Sequence, residues 1–233
     1  MSEFAAGPAG RIERVRALMA ERGYDAIVVR DEANLRWLTG VKGVFDYTFE
    51  FPHAAFITAD QCLFHTDSRY LNSFEENTPA GSPWVYDMDE GTIPGWVAGK
   101  IAANKCRVCA VEDDMQINFY QGIQRGLEDR SVACILPLMH DDIRKMRAIK
   151  DAEEIELMRH AQSITDAAFQ HMLGFIKPGM TEKQVRNELE NFMFANGADS
   201  LAFGSIVASG PNTANPHAVP SDRVIEKLSL IHI

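Results

Sequence analysis

The sequence predicts an α/β domain built on a mixed sheet, followed by the opening of a second, α+β domain. Short β-branched runs alternate with amphipathic stretches over roughly the first 140 residues, which calls for a sheet covered by helices. The pattern then gives way to two long helical segments, and each of these opens on a capping box. On this reading the first domain spans residues 10–140 and the second 141–227.

The elements follow in order. Ile12, Val15, Leu18 and Met19 recur at helical spacing, and Gly23 supplies a left-handed stop. A strand is expected at Asp25 to Arg30, because Ala-Ile-Val-Val is short, β-branched and flanked by charge. Asn34 to Gly40 reads as a brief helix ended by glycine, and the apolar runs 53–58 and 61–66, joined through Ala59-Asp60, read as a hairpin. Asp67 is placed to cap a helix through Tyr70 and Phe74. A strand near 84–86, a helix over 93–103, a strand at 106–112, a helix over 116–126, a strand at 131–136 and a short helix from Asp141 complete the alternation.

Asp151-Ala-Glu-Glu154 has capping-box form and opens a helix whose Ile155, Met158, Ala161, Ile164, Ala168, Met172 and Phe175 share one side until Pro178. Thr181-Glu-Lys-Gln184 is a second box, and Val185, Leu189, Phe192 and Met193 give that helix its buried face before Asn196-Gly197. A strand is expected at 202–208.

Composition narrows the function. With 46% hydrophobic residues the chain can build a core, and 23 Lys+Arg against 33 Asp+Glu leave a net charge of -10. That charge opposes nucleic acid and anionic membrane surfaces as partners. The small, polar start lacks the basic and apolar segments of a signal peptide, and no run approaches the ~20 apolar residues of a membrane span. Four cysteines in apolar surroundings read as reduced thiols of a cytoplasmic protein. Cys106-Arg-Val-Cys109 has no second pair at ligand spacing, and an odd offset on a strand sends its thiols to opposite faces. His160 and His171, eleven residues apart on one helix, stand about 16 Å apart and cannot share an ion. His53, His65 and His140 have no helical partner. The acidic clusters Glu112-Asp-Asp114 and Asp141-Asp142 border helices, where the dipole favours them.

Ser209-Gly-Pro-Asn-Thr-Ala-Asn-Pro-His217 carries the most information. A strand that runs into Gly, Pro and Asn leaves its sheet in a tight loop, and this loop delivers one imidazole, that of His217.

Several motifs in one order carry a resemblance. Arg147-Ala-Ile-Lys-Asp-Ala-Glu-Glu-Ile155, Pro178-Gly-Met-Thr-Glu182, Phe203-Gly-Ser-Ile-Val-Ala-Ser-Gly210, Asn212 and Pro216-His217 resemble the pita-bread metallopeptidase family of aminopeptidase P, prolidase and creatinase. Asn34-Leu-Arg-Trp-Leu-Thr-Gly40 and Thr66-Asp-Ser-Arg-Tyr70 resemble that family's creatinase-like N-terminal domain. The resemblance implies a peptidase with two divalent metals (Mn, Co or Zn) that hold the water attacking the bond before proline. It implies proline-containing peptides as substrates and a homodimer as the assembly. The histidine matching His217 is then catalytic and substrate-binding without being a metal ligand, and Phe203 falls near the substrate pocket. After Val224-Ile-Glu-Lys227 the family continues with Gly-Asp and a strand bearing two aspartate ligands, whereas here the chain reads Leu228-Ser-Leu-Ile-His-Ile233. The expectation is a truncated, inactive fragment that holds no metal, with 228–233 a non-native tail such as translated adapter. A pita-bread part cut at Lys227 would leave apolar helix faces uncovered. Two other readings share the scaffold: a creatinase-like amidinohydrolase that needs no metal, and a non-catalytic peptide-binding module.

Overall fold

The computed structural model describes residues 7–41, 52–88 and 91–232, so the stretch before Gly7 and the final Ile233 lie outside the described residues. The chain divides into two compact units, the first ending at Ile149 and the second beginning at Lys150.

The first unit is built on a five-stranded sheet ordered β4-β3-β2-β1-β5, with β1 Ala26–Val29, β2 Ala54–Thr58, β3 Cys62–His65, β4 Val85–Asp87 and β5 Cys109–Val111. β2 runs antiparallel to both β1 and β3, while β5 runs parallel to β1 and β4 parallel to β3, so the sheet is mixed as expected. Strand alternation sorts the side chains of β1. Ile27 and Val29 point into one apolar cluster with Ile12, Val15, Leu35, Leu38 and Phe74, and Ala26 and Val28 into another with Trp96, Ile101, Phe119 and Ile123. Both faces are therefore covered. α1 (Gly7–Arg22), α2 (Glu32–Thr39), α3 (Leu71–Asn77) and α6 (Asp142–Ala148) contribute to the first cluster, and α4 (Ile93–Ala103) and α5 (Ile117–Asp129) to the second.

Three local expectations change. The strand expected at 131–136 is reduced to isolated bridges, Val108 with Ile135 and Val111 with Leu138. Pro137 has no N–H to give a ladder there, and Ile135 is 68% exposed. The helix from Asp141 packs in the first unit, where Ile143 joins the cluster of α1 and α2, so that unit continues past the 140 boundary to Ile149. Cys106 precedes β5 rather than lying on it, so strand alternation does not apply: Cys106 and Cys109 enter the same cluster, with Cys134 packed against it. All four cysteines are free, and burial pushes the Cys62 and Cys106 thiols up to about 11.

The second unit pairs α7 (Ala152–Phe175) with α8 (Glu182–Ala195). Both capping boxes form. Asp151 accepts from the Glu154 N–H at 2.9 Å, and Thr181 from the Gln184 N–H at 3.2 Å, with each third-position side chain returning to its cap. Of the expected stripe on α7 only Ile164, Ala168 and Met172 are buried, and Ala168 and Met172 join a cluster with Val185, Leu189, Val207 and Ile225. Met158 (57%), Phe169 (51%) and Leu173 (63%) stand exposed. The strand expected at 202–208 shortens to β6, Ala208–Ser209, which pairs antiparallel with β7, Ile231–His232. Leu228 to Leu230, read as the start of a non-native tail, thus lead into a strand of this unit.

Candidate functional site

The site grows from the end of β6. Gly210–Ala214 forms one 3-10 turn with Pro211 at its start, which fixes the backbone direction as the chain leaves the sheet. The turn is held from within: the Thr213 hydroxyl donates to the Gly210 carbonyl at 2.7 Å, and the Asn215 N–H to the Asn212 carbonyl at 3.0 Å. Asn215 in turn accepts the His217 N–H on its Oδ1 at 3.0 Å. His217 is exposed, its ring free to meet a ligand from solvent. Gly210 is required where it stands, because its φ is +51° and a Cβ would lie 2.8 Å from the Arg223 guanidinium.

A residue outside the loop organises it. Glu182, the first residue of α8, is fully buried and accepts on Oε1 from the Ser209 N–H (2.7 Å) and hydroxyl (2.9 Å), and on Oε2 from the Ser221 N–H (3.0 Å) and hydroxyl (2.6 Å). The Asn212 amide donates to both oxygens, at 3.0 and 3.2 Å. Burial alone would raise the carboxyl's pKa, but the donors from Ser221, Ser209 and Asn212 outweigh it and hold the group down to about 2. The anion thus ties together residues on both sides of His217. Sequence reasoning placed Glu182 inside a capping box and gave it no further role.

Phe203 does not lie on a strand. It sits in the irregular stretch ahead of β6 and is 72% exposed, so it is no part of the core. Three other histidines have local roles: His53 is enclosed by Phe64, Tyr70 and Phe74, His65 packs at a tilt against Trp96, and His171 stacks on Phe192 and pairs with Glu188 at 2.7 Å. Glu112 departs from the expected helix-border role. It is 5% exposed and accepts the Arg30 and Asp31 N–H groups at 2.5 and 2.8 Å and the Asn34 amide at 2.7 Å, so it fastens the start of α2. Asp113 accepts the His140 and Asp141 N–H groups ahead of α6.

Among the described residues no group of three or more His, Cys, Asp or Glu side chains is placed to hold a metal ion. The carboxylate that holds the loop, Glu182, already has its lone pairs taken by Ser209, Asn212 and Ser221. These residues do not by themselves fit a two-metal centre. Among the described residues, too, no helix is long and apolar enough to cross a membrane.

Comparison with known proteins adds the family. The creatinase/prolidase N-terminal domain matches residues 11–149, and metallopeptidase family M24 matches residues 156–233. An uncharacterized peptidase of Bacillus subtilis is 31% identical over 228 residues, which is 95% of this chain and 59% of that protein. Among solved structures, the Xaa-Pro dipeptidase of Bacillus anthracis superposes with a TM-score of 0.83 at 31% identity, over 97% of this chain and 59% of that one. The X-Pro aminopeptidase of Thermotoga maritima gives 0.77 at 28% identity, over 94% and 59%. The chain therefore spans about three-fifths of the length of these relatives.

Proposed function

Because the chain belongs to the creatinase/prolidase family of M24 metallopeptidases, we propose that the whole protein hydrolyses the peptide bond preceding proline in dipeptides or longer peptides. One observation carries the reading: an exposed imidazole, His217, stands on a loop fixed at both flanks, in a chain alike along 97% of its length to a protein named as an Xaa-Pro dipeptidase. Held there, the ring is suited to donate a hydrogen bond to the carbonyl oxygen of the scissile bond as negative charge develops on it. Phe203 offers an exposed aromatic face for the proline ring.

The divalent pair, Mn, Co or Zn, belongs in this proposal to the part of the family's length that this chain does not span, and the 233-residue chain alone is expected not to cleave. The free, buried thiols suit a cytoplasmic protein, and the family resemblance favours a homodimer.

The test is turnover of Xaa-Pro dipeptides and of Xaa-Pro-containing peptides by the protein carried to the full length of its relatives, with each metal supplied. His217→Ala should lower kcat about 10²- to 10³-fold, as loss of one oxyanion donor does. Absence of Xaa-Pro cleavage by the unmutated full-length protein with any of the three metals would overturn the reading.

A further inference from the structure

We propose that Glu182 is the positioning residue for His217, fixing through Asn212 and Asn215 where the imidazole is presented. The inference rests on the peptidase reading for what His217 does, but not for how it is held. A continuous chain of hydrogen bonds joins the two residues. The Glu182 carboxylate takes the Asn212 amide, the Asn212 carbonyl takes the Asn215 N–H, and the Asn215 side chain takes the His217 N–H. From the other side the carboxylate takes the Ser221 N–H and hydroxyl, so the segment bearing His217 is clamped before and after the histidine by one buried anion.

The chemistry demands a carboxylate. Five donor groups converge on two oxygens: two backbone N–H groups, two hydroxyls and one amide. An ionised carboxyl supplies about four lone-pair sites and no donor, whereas an amide would aim an NH₂ at one pair of these donors. A residue that served only to start α8 would need none of this. Thr181 already caps the helix, and Glu182 sends its side chain 27 and 39 residues along the sequence, to Ser209 and Ser221.

The experiment separates positioning from helix capping. In the 233-residue chain, the ¹⁵N order parameter of the His217 amide should fall from about 0.85 to below about 0.6 in Glu182→Gln. Thr181→Ala, which removes the α8 cap and leaves the carboxylate's partners in place, should keep it ordered. If Glu182→Gln does not fold, Asn212→Ala decides, since it removes only the amide that ties the turn to the Glu182 carboxylate and leaves the backbone Asn212 carbonyl to accept the Asn215 N–H; His217 should again lose order. An ordered His217 in Asn212→Ala, or equal loss in Thr181→Ala, overturns the proposal. In the full-length enzyme Asn212→Ala should lower kcat by about 10²-fold with KM nearly unchanged, as a misplaced group does. Retention of kcat alongside a disordered His217 also overturns it. A wild-type enzyme without Xaa-Pro activity refutes the peptidase reading instead, and the order parameters still decide the positioning.

Discussion

Two buried groups of the first unit set opposing pH dependences, and Glu112→Gln should expose one of them. Burial pushes the Glu112 carboxyl up from its ordinary 4.5 to about 7, despite donors from Asn34, Arg30 and Asp31. Between those values the folded state holds a proton that the unfolded chain has released, so this contribution is complete below pH 4.5 and is lost as pH rises through 7. A difference of about 2.5 in pKa corresponds to about 3 kcal/mol. His53, fully buried, is lowered from 6.5 to about 4 by desolvation. Its contribution has the other sign: it is complete above pH 6.5 and lost as pH falls through 4, again by about 3 kcal/mol. From 4.5 to 6.5 the two nearly cancel, and the wild-type profile should be close to flat there. Glu112→Gln removes one limb, so the variant's stability should climb with pH by about 3 kcal/mol over that interval. The amide also forfeits an acceptor toward Asn34, whose Oδ1 is engaged by Arg147 at 2.8 Å, at a pH-independent cost of about 1 kcal/mol. Urea unfolding followed by tryptophan fluorescence measures this, because Trp37, Trp84 and Trp96 are the chain's three tryptophans and all lie in the first unit. Parallel wild-type and variant profiles between pH 4.5 and 6.5 would refute the reasoning.

Two further outcomes test local geometry. Gly40 ends α2 at φ +67°, where an added Cβ would sit 2.7 Å from Pro8 Cγ and 3.3 Å from Pro79 Cγ; Gly40→Ala should therefore lower first-unit stability by at least about 1–2 kcal/mol, read as a shifted urea midpoint at constant m. Asp151→Ala removes the cap on the Glu154 N–H and should lower the stability of α7 by about 1 kcal/mol, seen as faster hydrogen exchange in its first turn with exchange in the middle of α8 unchanged.

Much of the fold was legible because its signals are local. The hairpin of β2 and β3 announced itself as two apolar runs about a polar turn, and both capping boxes are four-residue patterns whose partners lie three residues apart. The misreadings share a cause. Periodicity states that Met158 and Ile155 are apolar and share a helix side, not that a neighbour covers them, and the structure leaves them 57% and 39% exposed. The 202–208 run is β-prone in composition, yet a strand exists only where a partner pairs with it, and β7 reaches just Ala208 and Ser209.

The site divides in the same way. Its loop could be read, since Gly210, Pro211, Asn212 and Asn215 each have backbone reasons to be where they are and together deliver His217. Its anchor could not. A glutamate directly after a capping threonine is what a helix dipole favours in any first turn, and the motif Pro178-Gly-Met-Thr-Glu182 marks the family without naming a second task for Glu182. That task is visible only in the folded chain, where Ser209 and Ser221 converge on one carboxylate. The dipole explanation and the observed role are compatible: a helix N-terminus favours an anion, and the donors from Ser221, Ser209 and Asn212 keep this buried carboxylate ionised. The residue type was thus fixed twice over, by the helix it begins and by the loop it holds, and sequence spacing recorded only the first.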